Sequence, residues 1–299
     1  MELIKYEVLD QVDKITNTIE QDLNSPLTFA AYNEAIGDFI DYTINSINPF
    51  ENPYQAFVSY KNHLRDLKPA TANKKLSAIR RFFKVAAAYG YVSFAQYDAV
   101  AHTENIPNDT QPFRSWLTED EARALLYAPD TSTEIGRRDQ VAILFMLVLW
   151  FRRAEIPRIT WGQLIQQDGM WLIVNVQTKR NKVRHAKVPD KYVEMILNYR
   201  PRGSDDEPIL AGYSPQGIRL QGGISEKTVY NIVAKYGELL GIDVAPHKLR
   251  RTGSTLAYYN GAGVDQIRQG LGHNDERTTR IYLQDAIYLE NNATDFVDL

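Results

Sequence analysis

Two arginines, two histidines, a lysine and a tyrosine stand in this 299-residue sequence at spacings that suit one chemistry, the transfer of a phosphodiester without a metal. Arg152 closes an apolar stretch and is followed by Arg153 and, three residues on from Arg152, by Glu155. Lys179 sits in the polar run Thr178-Lys179-Arg180-Asn181, and Pro246-His247-Lys248-Leu249-Arg250-Arg251-Thr252 opens a helical segment. Leu271-Gly272-His273 lies nine residues before Tyr282. Breaking a phosphodiester requires cations fixed on the non-bridging oxygens, a nucleophile held in line and an acid for the departing oxygen. Arginine grips phosphate through two parallel donors, which lysine cannot copy. A neutral tyrosine, with an ordinary pKa of about 10, needs a base or a hydrogen bond before it attacks well. A covalent intermediate conserves the bond energy, so rejoining needs no ATP; no GxxxxGK[ST] loop occurs.

Taken singly, each residue has a plainer reading. Arg152 alone is a helix-end charge, Glu155 an ion-pair partner for Arg152 or Arg158, and Lys179 one member of a solvated turn with Arg180 and Lys182. His247 alone is a cap, Arg250 and Arg251 are exposed helix charges, His273 is a turn residue after Gly272, and Tyr282 is one of 18 tyrosines. Order and spacing together are far more specific than any member. His247 and Arg250, at i and i+3, share a helical face near an N-terminus that favours anions, with Pro246 just inside its start and Gly261 beyond its end.

The set resembles the tyrosine recombinases of the phage-integrase and Xer class. That family carries an Arg with an acidic residue three positions on, a hairpin Lys, an HxxR pair, a His or Trp after Leu-Gly, and a Tyr nine residues later; this chain has all seven in order across 152–282. The resemblance implies that Arg152 and Arg250 clamp the scissile phosphate and Lys179 protonates the 5′ oxygen. It further implies that His247 assists proton transfer, His273 hydrogen-bonds the phosphate, Glu155 supports the site and Tyr282 attacks. It implies no cofactor. Trp150-Phe151 stand before Arg152 where the family more often has Gly and a small aliphatic residue, and Arg153 follows where an aliphatic is common, so Arg153 competes for the inward position. Lys182 competes with Lys179; Tyr258, Tyr259 and Tyr288 lack the nine-residue spacing.

The elements that must position these residues are mostly helical. Ile4, Val8, Val12, Ile15, Ile19 and Leu23 mark an amphipathic helix over 1–24 that ends before Ser25-Pro26. Residues 25–102 read as a helical core-binding domain, in which Pro69 and a capping Thr71 precede a basic helix from Asn73 to Tyr89. Residues 103–114, with two prolines and no periodicity, read as a linker. A catalytic domain over 115–285 opens on a Thr118–Glu121 capping box, runs a buried helix from Ala142 to Phe151 that delivers Arg152, and includes a hairpin from Met170 to Val188. Residues 286–299 form a tail. The expected fold is mainly α with a small β-hairpin or sheet: a two-domain clamp joining the helical core-binding domain to a tyrosine recombinase catalytic domain.

Charge points to double-stranded DNA as partner although the net charge is −3. Residues 59–89 carry eight basic side chains against Asp66 alone, and residues 178–202 carry eight against Asp190 and Glu194. Lys74, Lys75, Arg80, Arg81, Lys84, Arg180 and Lys182 are the expected DNA contacts. Acid gathers at the ends: six acidic against two basic residues over 1–24, and four acidic with no basic over 285–299. An acidic tail suits a protein, and the resemblance implies a homo-oligomer, a tetramer on two DNA sites, with Ile287, Leu289, Phe296 and Val297 docked on a neighbour and the N-terminal helix as a second contact. Accessory proteins remain compatible with the pattern. About 24 residues before the core-binding region suit a simple site without arm sequences. Zero cysteines exclude thiol nucleophiles and Cys-ligated zinc, and the five histidines form no HExxH pair. The eleven-residue apolar run Val141 to Phe151 is too short to span a bilayer and no signal-peptide pattern appears, so a cytoplasmic, nucleoid-associated location is expected. A relaxing type IB-like topoisomerase and a catalytically silent DNA-binding regulator are the alternatives; the intact constellation argues against the second.

Overall fold

Prolines and hydroxyl caps set where many of the helices begin. The computed structural model describes residues 2–23, 25–107, 116–178, 182–273 and 275–290, with the backbone alone for residues 2–5, 281, 282, 284, 285 and 288–290. The chain divides into two compact units, Met1–Gln111 and Pro112–Leu299.

The first unit is a run of helices: α1 (Glu2–Asp22), α2 (Pro26–Thr43), α3 (Pro53–His63), α4 (Pro69–Ala88) and α5 (Phe94–Ala101). Pro26, Pro53 and Pro69 each occupy a first turn, where the missing N–H has no intrahelical partner to lose. Thr71 does not cap α4. That helix starts at Pro69 with Lys68 in the cap position and no side-chain cap bond, so Thr71 falls inside the first turn. Helix α4 is the axis of the unit: Leu76, Ile79, Phe82, Phe83 and Ala86 recur at helical spacing and are fully buried against Phe39 of α2 and Phe57 and Tyr60 of α3. Phe39 meets Tyr60, Phe82 and Phe83 edge-on, with centroids 5.3, 6.3 and 5.7 Å apart, the arrangement that ring quadrupoles favour. The apolar stripe of α1 is used within this unit, since Val8, Ile15 and Ile19 are buried in the same core. The linker begins later than the sequence suggests. Asn73 of α4 clasps Ile106, donating to its carbonyl and accepting from its N–H at 2.8 Å each, and Arg80 donates to Thr103 O at 2.7 Å. Residues 103–106 therefore belong to the first unit, while 108–115 lie outside the described residues.

In the second unit, α6 (Glu119–Tyr127) opens on the expected capping box: Glu121 N donates to Thr118 Oγ1 at 3.0 Å and Thr118 N to Glu121 Oε2 at 2.6 Å. Helix α7 (Glu134–Leu147) is buried throughout its second half, yet it stops four residues short of Phe151. Trp150 takes φ +54, in the left-handed region that ends a right-handed helix. Leu149 and Phe151 stay buried nonetheless. The apolar run thus marks burial of a loop as well as of a helix, and Arg152 is delivered by that loop.

Three antiparallel strands follow, β1 (Leu164–Gln167), β2 (Met170–Gln177) and β3 (Val183–Val188), in the order β1-β2-β3. The expected hairpin is β2–β3. Strand β1 is added by Asp168-Gly169, at φ +50 and +74, a two-residue turn whose twist matches that of its flanking strands. The unit is completed by α8 (Asp190–Leu197), the short pair β4 (Ala211–Tyr213) and β5 (Arg219–Gly223), α9 (Glu226–Leu240), α10 (Pro246–Tyr259), α11 (Val264–Leu271) and α12 (Glu276–Glu290). One large core joins α6, α7, the three-stranded sheet, α8 and α9. A smaller one, centred on Ile267, Leu271 and Leu283, seats α12. The 285/286 boundary falls inside α12: Ala286 is buried and Ile287 packs on that small core rather than awaiting a neighbour. Leu289's side chain, Phe296 and Val297 lie outside the described residues. No helix among the described residues is long and apolar enough to cross a membrane.

Candidate active site

Arg152, set in the loop after α7, is held by its neighbour. Its backbone N–H donates to Glu155 Oε2 at 2.9 Å and its Nη1 to Glu155 Oε1 at 2.8 Å, so the carboxylate takes both donors at once. Glu155 is 4% exposed whereas the Arg152 side chain keeps 30%. The acid is therefore a buried support and the guanidinium retains an accessible face. Arg153 instead is 46% exposed and lies 3.5 Å from Glu226.

On the first turns of α10, Pro246 is buried at the start, His247 reaches solvent and Arg250 is 1% exposed. The Arg250 guanidinium donates to the carbonyls of Trp150 and Leu271, so one side chain ties the loop before Arg152 to the end of α11. Helix α11 ends at Gly272, φ +64, a conformation that a side chain would strain, and the sharp turn presents His273. His273 Nδ1 is 3.0 Å from Thr279 Oγ1. Thr279 is fully buried on α12, and backbone position 282 follows one turn later on the same helix.

The electrostatics keep both imidazoles neutral. Burial, then Arg250, Arg152, His247 and Arg184, push His273 down to about 4. Burial, then Arg250, Arg152 and Arg251, lower His247 below its ordinary 6.5. Arg152, His247, Arg250 and His273 are thus in electrostatic range of one another, an excess of positive charge beside neutral imidazoles that suits an anion. Lys179 and Arg180 lie outside the described residues; strands β2 and β3 end on either side of them, at Gln177 and Val183.

The phage integrase family profile matches residues 115–287, more than half of the chain. The chain belongs to the phage integrase family, the tyrosine recombinases. Tyrosine recombinase XerD of Listeria innocua is 25% identical over 288 residues, covering 84% of this chain and 93% of its own. XerD of Vibrio cholerae is 26% identical over 270 residues, covering 87% and 82%. XerA of Thermococcus onnurineus is 28% identical over 212 residues and covers 71% of each chain. The fold matches those of XerH bound to its difH substrate in a pre-cleavage complex (TM-score 0.66, 17% identity, 97% of this chain and 90% of that one) and of a lambda integrase dimer bound to a COC′ core site (0.69, 18%, 97% and 79%).

In this tyrosine recombinase the basic residues expected on DNA fall into two groups. Lys74 and Lys84 are exposed on α4, and Lys182 is exposed beside the hairpin turn. Three others have partners within the first unit: Lys75 with Asp38, Arg81 with Asp22, and Arg80 with Thr103 O and, at 3.0 Å, Asn105 Oδ1. Sequence reasoning passed over two residues that the structure sets against these side chains and their segments, Thr279 and Arg184. Thr279 gave no signal beyond standing one turn before Tyr282. Arg184 did: Arg184, Ala186 and Val188 alternate toward the covered face of β3, and a charge on that face calls for a buried partner.

Proposed function

We propose that this recombinase cuts and rejoins DNA at a specific site through a 3′-phosphotyrosyl bond made by Tyr282. The observation that carries this reading is the convergence of Arg152, His247, Arg250 and His273 in one unit, with α12 joined to His273 through Thr279. In this reading Arg152 and Arg250 hold the scissile phosphate, His273 donates to it, and Glu155 orients Arg152. The Tyr282 phenolic oxygen bonds to phosphorus as the bond from phosphorus to the 5′ oxygen breaks. The phenolic proton passes to His247, which its low pKa leaves free to accept, and the 5′ oxygen takes a proton from Lys179. One phosphodiester replaces another, so rejoining by the reverse path needs no energy source.

The partner in this reading is double-stranded DNA, met by Lys74, Lys84 and Lys182 and by the hairpin turn, and four copies act on two sites. Recombination is favoured over simple relaxation because relatives aligned over most of both chains are tyrosine recombinases. Trapping on DNA fragments, followed by sequencing of what remains covalently attached, identifies the site. A plasmid carrying two copies of that site then separates the possibilities: resolution into two circles is expected. Relaxed monomer circles alone would point to a topoisomerase, and binding without adduct to a silent regulator.

A further inference from the structure

Arg184 and Arg250 make the same bridge side by side. Arg184, 6% exposed on β3, donates through Nη1 to Gly270 O and through Nη2 to Leu149 O, both at 2.7 Å. Arg250, from α10, donates to the next carbonyl in each segment, Leu271 and Trp150. Two guanidiniums from different elements thus lace residues 149–150 to residues 270–271. Arg152 is two residues beyond the first segment and His273 two beyond the second.

Arg184 has a third tie. Its Nε lies 3.8 Å from Glu155 Oε2, the oxygen that accepts the backbone N–H of Arg152, and its guanidinium carbon sits 4.4 Å from the Phe151 ring centre. Burying a charge is expensive unless it is paired and hydrogen-bonded, and packing alone is met as well by an apolar side chain of similar size. A guanidinium offers instead several donors in one fixed plane, which fix angles as well as distances. Its place as the second residue of β3 also ties the strand following Lys179 to the other two segments.

We propose that Arg184 is a positioning residue which, with Arg250, locks the Arg152 loop to the end of α11 and so holds Arg152 and His273 in one frame before DNA arrives. The inference rests on the proposed strand-transfer reading only for its kinetic consequence. The frame itself belongs to the DNA-free protein.

Two measurements on the full chain decide it. The first is amide hydrogen exchange without DNA on Arg184→Gln and Arg184→Lys. Protection should fall in both 149–155 and 270–273 while the core amides of α9 keep theirs, with Arg184→Lys, which retains charge but not the planar fork, falling less. The second is single-turnover cleavage of a nicked duplex carrying the sequence recovered in wild-type covalent complexes. Arg184→Gln should lower the rate constant at saturating DNA by on the order of 10²-fold, the loss typical of a slightly misplaced group, with the half-saturating DNA concentration unchanged. Should Arg184→Gln not fold, Arg184→Lys is read in both assays. Unchanged exchange in the two segments overturns the proposal, as does protection lost evenly through α9 with a normal rate constant. A defect confined to the half-saturating concentration would make Arg184 a DNA contact instead. If the wild type forms no adduct, the strand-transfer reading fails, and the exchange result still decides the frame.

Discussion

Arg152 and Arg153 are adjacent, yet only one is gripped by a buried carboxylate. Arg152→Ala should lower cleavage by on the order of 10²-fold with DNA binding retained, because a preorganised contact to developing charge is lost, whereas Arg153→Ala should leave the rate near wild type. Rate constants at saturating DNA test the contrast; a crippled Arg153→Ala with an active Arg152→Ala would reverse the assignment. The histidines make a second prediction at this scale. Both have folded pKa values below the ordinary 6.5, so below that pH the unfolded chain takes up protons that the folded chain refuses. Their preference for the neutral form therefore leaves stability intact above 6.5 and erodes it as pH falls below that, for His273 down toward about 4. Thermal midpoints across that window should drop more steeply for the wild type than for His273→Gln; parallel curves would contradict the burial of His273. Arg152, Glu155, His247, Arg250 and His273 stood out in the sequence through the resemblance to the family pattern, and the fold gathers them within one unit. Arg184 was hidden in a run of eight basic residues, where charge count masks which side chain turns inward.

At the scale of elements, Trp150 is the wedge that shapes the site. A Cβ on Gly270 of α11 would stand 2.5 Å from the Trp150 ring, and one on Gly253 of α10 would stand 1.8 Å from Leu147 O and 2.6 Å from Trp150 Nε1. Both helices therefore need a bare backbone facing the indole. Gly270→Ala should destabilise the protein by about 1–3 kcal/mol through overpacking, and Trp150→Gly, which empties that space and relaxes a positive φ, should recover part of the loss in the double variant. Gly253→Ala meets backbone as well and should not be recovered. Urea unfolding of the four variants measures this, and strictly additive losses for Gly270→Ala and Trp150→Gly would contradict the wedge. The starts of α6 and α10 were legible from the Thr118–Glu121 capping box and Pro246, and that of α4 from Pro69 although Thr71 does not cap it. The end of α7 was not, since apolar residues continue into a buried loop, and β1 went unread although Asp168-Gly169 is a strong hairpin turn signal.

Across the whole molecule, charge reads differently once side chains are placed. The eight basic residues of 59–89 look like one DNA-facing stripe, but Lys75, Arg80 and Arg81 are engaged within the first unit, leaving Lys74 and Lys84 among the exposed cations of α4. The two-unit division was legible from the unpatterned, proline-bearing stretch after residue 102, although Asn73 holds its first part to α4. The acidic end remains the proposed contact between copies. Because Ala286 and Ile287 pack within their own unit, the informative truncation removes 291–299 alone: half-site binding should persist and cooperative filling of a full site should weaken in gel-shift titrations. Unchanged cooperativity would remove the tail from the assembly. The central claim, that position 282 carries the nucleophile, is tested most directly by digesting the trapped protein–DNA complex and fragmenting the adducted peptide to single residues. A 3′-phosphonucleotide on Tyr282, absent from a Tyr282→Phe variant that still binds DNA, is the predicted result; an adduct that survives that substitution on Tyr258, Tyr259 or Tyr288 would contradict it.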